Sequence, residues 1–432
     1  MSARRHPGRV LVAYALCVAI LAATKPQLRL ANGGRAGPGP FRGTTTNVPT
    51  TSNVTYSPPV TRHRANAPRA TESERALAAL PGDHHTCQPA QLPYGDLLRV
   101  MATVAVVVQH VAHIGVQRYG SIDIGEWWVC DFAVAGTKWA VPLFVMLSGA
   151  LLLDPGRTEP TSVFYRKRIV RVGVPLAFWS AFYLVCTAVG GREATPLPEL
   201  LGKLAHGRPY YHMYFMFVIT GLYLFTPPLR VFVAHASHGQ YAVALYAALS
   251  VAVCADAVGT WNADDSNALT LFVPYIGYFL AGYWFRDVRL SSRQRAVVLL
   301  VLLASIVLTA LVSAYLFAVS ARDSCARYAY HYFSPNIVIA SLATFLLLVR
   351  IGTRVPLSTG RVQRLRARCA KATFGIYLIH PFVLRVLERL GIDVMRPPVA
   401  VVIPIVAATV FFISWALIEL IEGTPYLRRV VG

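Results

Sequence analysis

Ten apolar runs constrain this chain more than any other feature, because most are about 17 to 25 residues long and a hydrocarbon core is roughly 30 Å thick. In lipid every backbone N–H and C=O must be satisfied within its own segment, so such runs fold as helices. They lie near residues 97–117, 134–153, 172–190, 213–231, 241–259, 269–285, 296–319, 334–350, 373–390 and 398–422. The expected fold class is therefore all-α: a polytopic membrane protein of about ten transmembrane helices, preceded by a disordered extension. Apolar residues make up 55% of the chain and charged residues only 14%, which excludes an ordinary soluble domain. The formal net charge of +21 does not indicate a nucleic-acid partner, since most Lys and Arg lie in short connections between apolar runs. Seven scattered cysteines with no CxxC pair give neither a metal cage nor a disulfide framework, and no metal is expected.

The charge of the connections sets an orientation. Arg157, Arg166, Lys167, Arg168 and Arg171 follow the second run, Arg286, Arg289, Arg293 and Arg295 the sixth, and seven cations from Arg350 to Lys371 the eighth. The intervening connections carry acids such as Asp123, Glu126, Asp264 and Asp393. The positive-inside rule then places the even-numbered connections, and both ends of the ten-span core, in the cytoplasm. Four regions follow: 1–23, a basic start with a short hydrophobic segment; 24–92, a Thr/Pro/Gly-rich linker; 93–425, the transmembrane domain; and 426–432, a cytoplasmic tail. The linker cannot bury enough apolar surface to fold alone. The first region reads as a signal-like segment, a short anchor or a mis-assigned start. If it spanned with its basic flank inside, the first core span would be inverted.

Within the first core span, Arg99 and His110 are eleven residues apart. On a helix that is three turns and a rise of roughly 16 Å, so both share a face. Arg99 lies at the cytoplasmic end and His110 near mid-bilayer, where an ionisable side chain marks a functional site. Histidine moves protons near neutral pH. Asp96, three residues before Arg99, is placed to pair or orient.

This Arg-x10-His pattern, followed by Val141-Pro142-Leu143-Phe144-Val145-Met146-Leu147-Ser148-Gly149, resembles the membrane acyltransferase-3 family. Phe164-Tyr165-Arg166-Lys167-Arg168-Ile169-Val170-Arg171-Val172-Gly173-Val174-Pro175 and Phe374-Gly375-Ile376-Tyr377-Leu378-Ile379-His380-Pro381 extend the resemblance in family order. Tyr211-His212-Met213-Tyr214-Phe215, leading into Gly221-Leu222-Tyr223-Leu224, resembles the subgroup that O-acetylates surface polysaccharides such as the enterobacterial common antigen. The resemblance implies a single-domain, inner-membrane O-acetyltransferase that takes acetyl groups from acetyl-CoA, a co-substrate rather than a bound cofactor, to a glycan or glycolipid.

It also implies roles. His110 is the expected general base, with Arg99 and Asp96 in the catalytic set. Arg168 and Arg171, three residues apart at helical spacing, are the expected partners of the donor's phosphates, which suit paired guanidinium forks. His113 and His212 stand toward the acceptor, and Tyr377 with His380 closes the far wall. Ser148 reads as a packing residue before Gly149 rather than a nucleophile. Lys138 needs a partner, for which Asp131, seven residues earlier, is the candidate. A transporter or flippase with a path through His110, Lys138 and Asp131 is the competing class, although no internal repeat supports it. Glu419 and Glu422 are expected to pair with cytoplasmic cations.

Overall fold

The computed structural model describes residues 92, 94–157, 159–190, 195–262, 267–320, 323–352, 360–393 and 395–432. The basic start and the Thr/Pro/Gly-rich linker expected over residues 1–91 lie outside the described residues. No strand occurs among the described residues, and nine of the described helices are long and apolar enough to cross a membrane. The all-α polytopic expectation holds.

The helices are α1 (Gly95–Val116), α2 (Ile124–Ala135), α3 (Ala140–Leu152), α4 (Thr161–Arg168), α5 (Val174–Gly190), α6 (Leu197–Ala205), α7 (Tyr214–His235) and α8 (His238–Asn262). They continue with α9 (Ile276–Phe285), α10 (Ser292–Val319), the single-turn α11 (Asp323–Ala326), α12 (Pro335–Gly352), α13 (Arg361–Arg389) and α14 (Val399–Glu422). Their ends follow local chemistry. Asp123 accepts from the backbone N–H groups of Gly125 and Glu126 and starts α2. Ser291 and Gln294 form a reciprocal capping box at α10. The first N–H of α14, on Val399, donates to Glu126 Oε2 at 2.9 Å, so α2 supplies that helix's missing acceptor.

One expected span differs. The sixth run, 269–285, forms turns, a short 3₁₀ segment over Val273–Tyr275 and the ten-residue α9 instead of a full-length helix. Pro274 sits where the helix is not yet regular, and the segment is held from outside itself. The Ala268 N–H donates to Ala205 O at 2.9 Å, and the Tyr241 hydroxyl donates to Leu280 O at 2.8 Å. The second run also changes: α2 and α3 together begin ten residues earlier than expected and are separated by turns at Gly136–Trp139. Carbonyls freed there accept from the side chains of Thr137 (to Ala133 O, 2.7 Å) and Trp139 (to Gly136 O, 2.6 Å). Irregular backbone at membrane depth survives only with such substitutes.

α1 is the central helix and packs against α2, α3, α13 and α14. α3 and α9 approach most closely, because each offers a glycine to the other's backbone: a Cβ on Gly149 would strike the Phe279 carbonyl, and one on Gly282 that of Met146. Small residues allow this approach where no hydrophobic effect drives association. Gly149→Leu or Gly282→Leu is therefore expected to destabilise the bundle by about 3 kcal/mol or more, read as lost monodisperse yield and a lower Tm in detergent. A variant with wild-type Tm would refute the backbone contact.

Cation-rich connections gather at one end of the bundle. The Tyr94 hydroxyl at the start of α1 donates to Arg286 O beyond α9 (3.0 Å), and Arg286 pairs with Asp154 beyond α3 at 3.3 Å. Arg368 pairs with Glu419 at 2.7 Å and Lys371 bonds Glu422, as expected for the two acids. The Trp179 indole N–H of α5 donates to Val430 O at 2.8 Å. At the opposite end Trp127 donates to Val116 O at 3.2 Å, and Arg118 reaches Asp393 at 4.0 Å.

Candidate active site

Three histidines from three helical segments meet inside the bundle. The His110 ring of α1 lies 5.3 Å from that of His380 on α13, measured between centroids, and His212 lies 5.6 Å from His380. Helical phase explains the meeting: α13 turns Tyr377, His380 and Leu384 toward α1, and the turn before α7 folds His212 inward. His380 is fully buried and His212 is 1% exposed. His212, Tyr377 and His380 thus fall in one cluster with His110, although His212 reads in sequence as an interfacial residue.

Hydrogen bonds fix two of these rings. His380 Nδ1 lies 2.8 Å from Tyr377 O and 3.2 Å from Ile376 O. Carbonyl oxygens only accept, so Nδ1 carries the proton and Nε2, buried with no partner among the described residues, presents a lone pair. His212 Nε2 faces Leu378 O at 3.3 Å, which leaves its Nδ1 as the bare nitrogen. The Tyr377 hydroxyl donates to the His212 carbonyl and holds that turn against α13. His110 differs: it is only partly buried, makes ring contacts alone, and has no hydrogen bond to another described residue. It is the ring with a nitrogen free for an incoming hydroxyl. Tyr211, which the sequence reading passed over, covers His110 at 4.9 Å and stacks beside Tyr210.

Arg99 donates to Asp96 Oδ1 at 2.9 Å, and both side chains stay more than a third exposed. Asp96 therefore holds Arg99, and fourteen residues of helix, roughly 21 Å, separate it from His110. His113, one turn beyond His110, is half-buried, with Nε2 3.4 Å from the Gln117 amide nitrogen and Nδ1 bare.

Arg168 precedes a departure from regular helix and Arg171 lies within it. α4 ends at Arg168, and Ile169–Gly173 forms a π-helical turn before α5. Such turns occur frequently at functional sites. The simple i, i+3 relation expected from spacing is thus loosened, yet both arginines line one open recess of about 400 Å³. Arg166 and Lys167, which the spacing gave no role beyond topology, line it too. Arg168 lies over the rings of Phe164 (5.0 Å) and Tyr223 (5.4 Å), and its buried Nε has no partner among the described residues. Arg157, outside the spans, faces the same positive charge: burial first, and Arg168 next, push its pKa below the ordinary arginine value. Arg230, half-buried on an apolar helix, bonds Leu152 O through two N–H groups at 3.1 and 2.9 Å and closes the end of α3. An arginine within an apolar run is the signal that would have found it.

Lys138 and Asp131 do not form the expected ion pair. Asp131 is fully buried and accepts from the Tyr330 hydroxyl, while the Lys138 ammonium lies over Tyr330 (5.7 Å) and Tyr332 (5.2 Å). The turns at Gly136–Trp139 carry Lys138 off the helical register that would have set it above Asp131. No group of three or more His, Cys, Asp or Glu among the described residues is placed to hold a metal.

Helices of spanning length define a multi-pass membrane protein, with an imidazole cluster buried among them. The family model for an acyltransferase domain matches residues 92–419, from three residues before α1 to the last turn of α14. The chain belongs to the acyltransferase-3 family, and neither a curated protein nor a solved structure matches it.

Proposed function

We propose that this membrane acyltransferase moves an acetyl group from acetyl-CoA, bound at the arginine-rich end, to a hydroxyl of a glycan or glycolipid arriving from the opposite side. The observation that carries the reading is His110: a mid-bundle imidazole with no hydrogen bond to another described residue, beside two histidines that are each held to carbonyls through one nitrogen. His110 takes the proton of the acceptor hydroxyl as its oxygen attacks the thioester carbonyl carbon. The carbon–sulfur bond then breaks, and the imidazolium returns the proton to the departing thiolate. The recess at Arg166–Arg171 supports the donor's position, because guanidinium forks suit pyrophosphate and 3′-phosphate groups. Arg99, tied to Asp96, adds positive charge on the same face as His110. The cation-rich end is then the cytoplasmic one by the positive-inside rule, and a bacterial inner membrane is the setting.

The test is label transfer from radiolabelled acetyl-CoA to a cell-envelope glycan extract by the purified protein. Label in alkali-labile ester on glycan is the expected result. Solute transport without any dependence on CoA would instead place the protein in the transporter class.

A further inference from the structure

Lys138 is a charge without an opposite charge. Its half-buried ammonium sits at the break between α2 and α3, about 20 Å by helix rise from the arginine-rich end. No carboxylate lies within 4.0 Å of it among the described residues; its neighbours are the faces of Tyr330 and Tyr332. Asp131, seven residues earlier, accepts from the Tyr330 hydroxyl on Oδ1, and its Oδ2 is buried without a partner, so it does not reach the ammonium. An unpaired ammonium at this depth is costly unless its counter-charge arrives with a ligand.

The surroundings form a site. Tyr332 is its hub: its ring holds Lys138, its hydroxyl meets Gln109 Nε2 at 3.5 Å, and its carbonyl accepts from Tyr278 at 2.6 Å. Gln109 is 4% exposed and its Oε1 is buried without a partner. One turn on, His113 leaves Nδ1 equally without a partner. A rigid aromatic face, the bare acceptor Oε1 of Gln109, the bare donor Nδ1–H of His113, whose Nε2 accepts from Gln117, and one ammonium are the components that bind a charged sugar.

We propose that Lys138, with Gln109, His113 and Tyr332, is the subsite for an anionic group, a carboxylate or a phosphate, on the acceptor. The proposal rests on the acyl-transfer reading for the word acceptor, but its test contains no acyl donor. Wild type, Lys138→Met and Lys138→Arg are placed in phosphatidylcholine nanodiscs and titrated calorimetrically with three matched tetrasaccharides: neutral, oxidised to uronic acids, and phosphorylated. Wild type is expected to bind at least one charged sugar about tenfold or more tighter than the neutral one. Lys138→Met abolishes that preference and Lys138→Arg keeps most of it. The two charged probes tell a carboxylate ligand from a phosphate. Absence of any charge preference in wild type overturns the proposal, as does a preference that survives in Lys138→Met. A third arm uses phosphatidylglycerol nanodiscs: if the lipid abolishes sugar binding in wild type alone, the ammonium holds a headgroup and the proposal falls. Unchanged Tm in Lys138→Met separates lost binding from lost fold. Because binding is read without acetyl-CoA, failure of acyl transfer leaves this result standing.

Discussion

His110→Gln is expected to lower kcat for acetyl transfer about 10²- to 10⁴-fold, the range a positioned general base contributes, with KM for both substrates little changed. Glutamine approximates the imidazole's size and polarity but cannot take a proton. Its neighbours give it no substitute: His380 donates Nδ1–H to carbonyls and keeps its other nitrogen buried, and His212 is locked against Leu378. A variant that kept more than a tenth of wild-type kcat would remove His110 from the proton-transfer step. His380→Gln makes the comparison informative. It breaks the carbonyl contacts of α13, so its loss is expected in Tm as well as in rate, whereas His110→Gln leaves no backbone group unpaired.

Arg168→Gln is expected to raise KM for acetyl-CoA about 10- to 100-fold with kcat nearly unchanged, since a hydrogen bond to a charged group contributes roughly 1.5–3 kcal/mol. The guanidinium is already clamped between Phe164 and Tyr223, so little side-chain freedom is lost on binding a phosphate. Arg168→Lys recovers only part of the affinity, because an ammonium on a flexible stem replaces neither the planar stacking nor the two-pronged donor. Arg171, exposed within the π-helical turn, contributes less alone. Binding measured at low and high salt gives the check. A wild-type affinity that ignores ionic strength would argue against phosphate contacts in this recess.

Most of the fold was legible because lipid leaves few options. Run length and the backbone's need for internal hydrogen bonds gave nine of the long crossings, and the expected pairing of Glu419 and Glu422 with loop cations is met by Arg368 and Lys371. α9 was not legible. Its hydropathy matches its neighbours, and only the meeting of Gly282 with Met146 and Gly149 with Phe279, distant in sequence, explains why a short helix suffices there. In the site, the shared face of Arg99 and His110 and the Tyr377–His380 pair followed from helical period. The inward fold of His212 and the cover given by Tyr211 did not, because a turn, not a period, sets their direction. Lys138 was noticed for the right reason, an ammonium in an apolar run. Its partners escaped because the break at Gly136–Trp139 rotates it away from Asp131 toward rings two hundred residues on.

The π-helical turn at Ile169–Gly173 holds one residue more than an α-helix would need over the same rise. It therefore behaves like an insertion that the fold has absorbed. Upstream, Arg168 keeps the phase that places it on the recess and over the buried Phe164; downstream, Trp179 and Tyr183 keep the phase that buries them against α13 and the carboxyl terminus. Removing Val170 would restore a regular helix and swing one of these two sets by about 100°. Length here is a specification: the chain must carry a surplus residue so that one continuous rod can answer to water on one stretch and to protein on the next.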